Sequence, residues 1–274
     1  MNRMDFINEP LPLLPKLASL LPCPALISLT GGGGKTSLMY GLGNFLSALP
    51  VSGKAMRVLL ATTTKIGVPR DAGIELLLDT PSVDAVRAAT GGRRLPLVGG
   101  RVIDDKITGV DPAYLDGLMA VGVVDYVVVE ADGAKMLPFK AYESYEPVIP
   151  SSTAVQVVVV GAEMLREPPG EGNTFRYALL REQWGGCGDA PLSFDLLARM
   201  LDSEKEYMKG TVPASKKILL INKCDLLAQD WPERLWEAAE ELPARLTRYD
   251  YLALASVGED KLYALAHLRK DNCR

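Results

Sequence analysis

The run Ala25-Leu26-Ile27-Ser28-Leu29-Thr30-Gly31-Gly32-Gly33-Gly34-Lys35-Thr36-Ser37-Leu38 decides the fold. An apolar stretch, four successive glycines, a lysine and two hydroxyl residues precede a helix-like pattern. That is the order of parts a phosphate-binding loop needs: strand, backbone nest, cation, helix N-terminus. Glycines let several N–H groups converge on one anion. In this reading Gly31, Gly32, Gly33 and Gly34 cradle phosphate and Lys35 reaches the β and γ phosphates. Thr36 ligates Mg²⁺, and Ser37 faces the α phosphate. The competing reading is a glycine-rich turn that binds nothing.

The standard phosphate-loop pattern places a glycine where Leu29 stands. What remains, T-G-x-x-G-K-T, is a shorter nest similar to that of the Mur ligases. Downstream, Leu38, Leu42, Phe45, Leu46 and Leu49 have helical spacing, ended by Pro50 and Gly53, and Arg57–Thr62 reads as a second strand. Strand, loop, helix, strand is the unit from which parallel sheets are built. The fold class expected is therefore α/β, with a mostly parallel sheet flanked by helices.

Composition sets the outer bounds. With 274 residues, 48% hydrophobic and 23% charged, the chain reads as an ordinary globular protein of one large or two modest domains. A net charge of −4 provides no global attraction to nucleic acid or an anionic membrane. Cys23, Cys187, Cys224 and Cys273 form no C-x-x-C pair and His267 is the single histidine, which suits a reduced, cytoplasmic protein. Cys187, flanked by glycines, is a candidate exposed thiol. Residues 1–24, broken by prolines and carrying Asp5 and Glu9, read as a docking helix and turn rather than a signal peptide. No apolar run is long enough to span a bilayer.

Ligands of a parallel sheet bind beyond the carboxyl ends of its strands. Three such ends carry chemistry. Ala61-Thr62-Thr63-Thr64-Lys65 would present hydroxyls and a lysine to the Mg²⁺ shell or γ-phosphate, the alternative being that Thr63 and Thr64 cap the next segment. Asp125–Gly133 is an apolar run ending in Glu130 and Asp132, placed to hold Mg²⁺, with Gly133 free to approach the γ-phosphate. Lys216–Asp225 ends in Asn222-Lys223-Cys224-Asp225, an N-K-x-D pattern. The Asp225 carboxylate can accept two hydrogen bonds from guanine N–H groups that adenine does not offer. Asn222 would touch the base or tie loops together, and the Lys223 stem would lie over the base. Ser256, near the end of a strand over Tyr249–Ala255, falls where a small loop could help read the base.

Other stretches shape the scaffold. A short helix over Thr80–Ala89 is expected, then a hairpin over Leu95–Val110 turning at Gly99-Gly100, and a helix opening at Asp111-Pro112. Lys135, Lys140 and Glu146 lie in a proline-rich loop after the acids and are substrate-contact candidates, the two lysines for gripping a small anionic substrate. Thr153–Val160 is another buried strand. Residues 161–213 read as a helical and loop excursion, with helical spacing over Phe175–Trp184 and Ser193–Tyr207. Trp231–Leu242 and Glu259–Leu268 read as further helices, the latter closing the chain.

Gly-Gly-Gly-Gly-Lys-Thr (31–36), Thr-Thr-Thr-Lys (62–65), Glu-Ala-Asp-Gly-Ala-Lys (130–135), Pro-Phe-Lys-Ala (138–141), Glu-Pro-Val-Ile-Pro (146–150) and Asn-Lys-Cys-Asp (222–225) resemble the YqeC family of accessory proteins of selenium-dependent molybdenum hydroxylases. Family sequences often carry Pro and His where this chain has Tyr142 and Tyr145. The resemblance implies a P-loop NTPase fold and partners among molybdenum hydroxylases or their cofactor-maturation proteins, and the chain is read as a single domain over 1–274.

Together these features predict a Mg²⁺-dependent GTPase of the metallochaperone-like P-loop class. Lys35, Lys65, Glu130 and Asp132 act on the phosphates, and Asn222 and Asp225 select GTP over ATP. Two alternatives stay open: a kinase or ligase acting on an anionic acceptor through Lys65, Lys135 and Lys140, and a nucleotide-binding module without turnover.

Overall fold

A computed structural model describes residues 5–51, 54–185, 188–230 and 232–268. Cys187, Trp231, Gly53 and Cys273, all singled out above, lie outside the described residues. A ten-stranded sheet runs through the molecule. Its strands, in chain order, are β1 (Asp5–Pro12), β2 (Ala25–Gly31), β3 (Val58–Thr62), β4 (Ile74–Leu77), β5 (Leu95–Val98), β6 (Tyr126–Glu130), β7 (Thr153–Gly161), β8 (Lys216–Asn222), β9 (Tyr251–Ser256) and β10 (Lys261–His267). In space they follow the order β1-β10-β9-β8-β7-β2-β6-β3-β5-β4. Every pairing from β9 through β4 is parallel, and β10 and β1 are added antiparallel at one edge.

The helices are α1 (Leu13–Ser19), α2 (Lys35–Ala48), α3 (Val83–Thr90), α4 (Pro112–Ala120), α5 (Tyr177–Trp184), α6 (Phe194–Leu201), α7 (Asp225–Asp230) and α8 (Pro232–Arg245). They cover both faces, which is why β2 and β6 are buried along their whole length. Alternate residues of one strand feed different cores, as period-two side chains must. Ile27, Leu29, Val157, Val159 and Leu220 pack with Leu38, Leu42 and Leu46 of α2 and with Leu13 and Leu17 of α1. On the other face Leu26, Leu59 and Val127 meet Val86 of α3 and Leu115 of α4. Val158, Val160, Leu219 and Leu252 there meet Leu197 of α6 and Leu235 and Leu242 of α8.

Local chemistry sets the helix starts. Ser82 caps α3 by accepting from the Ala85 N–H at 3.2 Å, and Asp111 caps α4 by accepting from Ala113 at 2.9 Å, with Pro112 opening the helix. Among the described residues no helix is long and apolar enough to cross a membrane.

Several expectations are corrected. The N-terminal segment contributes a strand as well as a helix, because β1 pairs with β10 at the sheet edge. The closing helix over Glu259–Leu268 is instead β10. Leu262, Ala264 and Ala266 are buried in alternation, and the turn through Gly258 returns the chain beside β9. Within Leu95–Val110, the first part is β5, a parallel strand of the main sheet. The hairpin lies further on, between Val102–Ile103 and Lys106–Ile107, turning through Asp104 and Asp105 at φ 49° and 56°. The second apolar run of the excursion is helical only over Phe194–Leu201. The short edge strand β4 had no counterpart in the sequence reading.

Candidate functional site

The carboxyl ends of β2, β3, β6, β7, β8 and β9 open on the same edge of the sheet, so six loops meet there. The glycine loop leaves β2, and Lys35 begins α2. Gly31 has φ 96°, and a side chain there would place its Cβ 2.1 Å from the Val159 carbonyl of β7. Gly34 has φ 117°, and a Cβ there would stand 2.6 Å from Asn222 Nδ2. The glycines therefore have a packing role, in that the β7 backbone lies directly against Gly31 and the Asn222 side chain against Gly34.

Three of the loop's amides are already engaged. The Gly31 N–H donates to Asp132 Oδ2 at 2.8 Å, Gly32 N–H to the Val159 carbonyl at 2.8 Å, and Gly33 N–H to the Leu137 carbonyl at 2.9 Å. The N–H groups of residues 34–37 open α2, where no intrahelical acceptor exists. In this state the open part of the nest is the helix end, and an anion reaching Gly33 must displace the Leu137 carbonyl.

Around the loop, Lys35 Nζ donates to the Gly31 carbonyl and stands 3.0 Å from Asp132 Oδ1 and 3.7 Å from Glu130 Oε1. Thr36 Oγ1 donates to Glu130 Oε2 at 2.7 Å. Asp132 also faces Lys140 Nζ at 3.3 Å, Lys140 is 3.1 Å from Glu146 Oε1, and Glu146 is ion-paired with Arg176. Lys140 further donates to the Gly133 carbonyl at 2.7 Å. Lys35, Lys140 and Arg176 thus alternate with Asp132 and Glu146 in a chain running from the glycine loop outward, with Glu130 beside its inner end.

Burial and charge compete at each position. Burial acts to lower the Lys35 ammonium, but Asp132 and Glu130 outweigh it and the pKa is raised. Burial acts to raise Asp132, yet Lys35 and Lys140 pull it below the usual range. Glu130, with burial dominant over Lys35 and Thr36, is pushed up. Lys140, burial outweighing Asp132, drops to about 8.

The N-K-x-D turn joins this edge through Asn222, whose side-chain nitrogen and oxygen are both engaged. Nδ2 donates to the Gly33 carbonyl at 2.7 Å, and Oδ1 accepts from the Val257 N–H at 2.8 Å. Of the two roles considered for Asn222, the structure thus displays the tying of loops. Lys223, at φ 65°, reaches Glu163 Oε1 at 2.6 Å. Asp225 opens α7 and is partly buried, and Ser256 is buried at the end of β9.

The remaining candidates divide. Thr63 Oγ1 donates to the Val148 carbonyl at 2.6 Å, fastening the proline-rich loop. Thr64 is partly buried, and Lys65, Ser37 and Lys135 are exposed. Lys135 Nζ lies 5.2 Å from the Phe175 ring. Residues the sequence reading missed include Arg176, whose guanidinium sits 4.5 Å from the Phe175 ring, and Glu163. Arg176 carried no signal, coming from a short loop distant in sequence. Glu163 did carry one, being an acid just beyond a buried, mostly apolar strand, much as Glu130 and Asp132 stand at the end of β6.

Oxygen donors suit a hard cation such as Mg²⁺, which takes one or two carboxylates and completes its shell with water and phosphate. Thr36 and Glu130 offer a hydroxyl and a carboxylate in direct contact, with Asp132 adjacent. Among the described residues no group of three His, Cys, Asp or Glu forms a protein-only metal cage. The residues fit a cation shared with phosphates and not one held by protein alone.

Fold and site together define a mixed α/β protein whose polar and charged side chains gather along the carboxyl edge of a mostly parallel sheet. The family model described as YqeC protein matches residues 27–178, which span the glycine loop, both acids and the outward ion-pair chain. The chain belongs to the YqeC family. It is similar to the uncharacterized protein YqeC of Escherichia coli (strain K12), 28% identical over 200 residues that cover 73% of this chain and 76% of that protein.

Proposed function

We propose that the protein is a P-loop NTPase that binds a Mg²⁺–nucleoside triphosphate, with preference for GTP, and hydrolyses it. The observation that carries this reading is the Asn222 bridge, which fastens the glycine loop to the N-K-x-D turn and to β9. A phosphate-binding element and a base-selecting element are useful only if held at fixed separation.

In this reading the amides of residues 34–37 and the α2 dipole hold phosphate oxygens. Lys35 leaves Asp132 for the β and γ phosphates. Thr36, Glu130 and Asp132 hold Mg²⁺, which supplies charge neutralisation when bound. Asp225 accepts from guanine, and Lys65, exposed beyond β3, reaches toward the γ-phosphate. The accessory role in maturing a molybdenum or selenium hydroxylase rests on the family resemblance alone.

The buried Lys140 supports a second reading, a kinase or ligase acting on a small anionic acceptor. With its pKa at about 8, it can change protonation near neutral pH. Titration of the purified protein with fluorescent GTP and ATP analogues, with and without Mg²⁺, tests the primary reading. GTP should bind more tightly than ATP, and Asp225→Ala should remove that preference. Equal affinities in the wild type would overturn the guanine assignment. Formation of a phosphorylated acceptor instead of free phosphate would favour the second reading.

A further inference from the structure

We infer that Glu163 is a specificity-determining residue that accepts a hydrogen bond from a ribose hydroxyl of the bound nucleotide. This deepens the nucleotide-binding reading and rests on it. Glu163 lies just beyond β7, the strand between β2, which carries the phosphate loop, and β8, which carries the base-selecting turn. A ligand spanning those two elements must put its sugar over the end of β7.

The contacts around Glu163 form a continuous path between them. A Cβ on Gly33 would stand 2.3 Å from the Gly161 N, and a Cβ on Gly161 would stand 2.2 Å from Glu163 Oε2. The carboxylate therefore overhangs a backbone that touches the glycine loop. Its other oxygen, Oε1, accepts from Lys223 Nζ at 2.6 Å, which fixes the carboxylate on the base side. Lys223 is directed there by a left-handed backbone at φ 65°, a conformation an L-residue adopts only when its surroundings demand it.

Oε2 is shielded from solvent and has no hydrogen-bond partner among the described residues. A shielded carboxylate oxygen without a donor is costly, and such a group calls for one. Of the parts of a nucleotide, the phosphates bring only acceptors. The ribose brings hydroxyl donors at the middle of the molecule, level with β7. Pairing an acidic side chain with a ribose hydroxyl is a chemistry that parallel α/β sheets support elsewhere.

The test compares GTP with its 2′-deoxy and 3′-deoxy analogues by calorimetric titration on wild type and Glu163→Gln. A hydrogen bond to a charged acceptor predicts at least about tenfold weaker binding of one analogue by the wild type. In Glu163→Gln that ratio should fall to about threefold or less. If all three nucleotides bind the wild type equally, the inference is wrong while the nucleotide-binding reading stands. If Glu163→Gln weakens all three by the same factor, Glu163 only steers Lys223, which also overturns it. Absence of any nucleotide binding removes both readings. Should Glu163→Gln fail to fold, the wild-type comparison decides alone.

Discussion

Replacing Asn222 by alanine probes the bridge that holds the site together. The side chain is 3% exposed and makes two hydrogen bonds to backbone groups, one on each side. Truncation leaves the Gly33 carbonyl and the Val257 N–H without their partner. An unsatisfied buried backbone group costs about 1–3 kcal/mol, and the partly exposed Val257 can recruit water, so the sum is about 2–4 kcal/mol. For a chain of this size each kcal/mol lowers Tm by about 2–4 °C, giving a drop of roughly 5–15 °C. Thermal melting followed by circular dichroism, together with urea titration, measures this. In the proposed function, GTP and ATP affinity should fall together, since the phosphate loop itself loosens. A Tm within about 1 °C of wild type would falsify the claim that Asn222 ties the loops.

Further outcomes follow from other contacts. Gly34→Ala should destabilise the chain by roughly 1 kcal/mol or more and weaken nucleotide binding, because its Cβ meets Asn222 in a left-handed backbone; an unchanged urea midpoint speaks against it. For Lys140 the folded pKa of about 8 lies below the ordinary 10.5, so the unfolded chain binds the proton more tightly. Stability of the wild type relative to Lys140→Met should therefore rise between pH 8 and 10, and a falling difference refutes the assignment. Asp125 is held below its ordinary 3.8, chiefly by hydrogen bonds from Arg57, with burial opposing. Its contribution is present above pH 3.8 and lost as pH falls through the lowered value, so Asp125→Asn should be less stable than wild type at pH 7 and the gap should close in acid.

How much of this was legible in sequence follows from which signals are local. The glycine loop, the apolar strands before Glu130 and Asn222, and the Asp111-Pro112 helix start each carry their cause within a few residues, and all appear where they were expected. The final segment was misread because Leu262, Leu265 and Leu268 suit a helical period, whereas the burial observed alternates through Leu262, Ala264 and Ala266. Pairing with β9 and β1, a long-range term, decides the matter. The hairpin was displaced because Gly99-Gly100 is a strong turn signal, whereas the turn runs through Asp104 and Asp105. Lys35, Thr36, Glu130, Asp132 and Asn222, singled out because they stand at or just past strand ends, lie together on the carboxyl edge of the sheet. Arg176 was invisible because its partner Glu146 lies 30 residues earlier, in an irregular loop. The amides of Gly31, Gly32 and Gly33 were expected to be open, and only the structure reveals the acceptors that occupy them.

The alternating ion pairs from Lys35 through Asp132, Lys140 and Glu146 to Arg176 have a consequence for how relatives of this chain can diverge. Losing one member strands a buried neighbour, a change that costs about 3–5 kcal/mol, whereas exchanging a whole pair for apolar residues can be close to neutral. Evolution along this line should therefore proceed by double replacement. Homologues that give up Glu146 should also have changed Arg176 or Lys140, while Asp132, which answers to Lys35, Lys140 and the Gly31 amide at once, should be the last to vary.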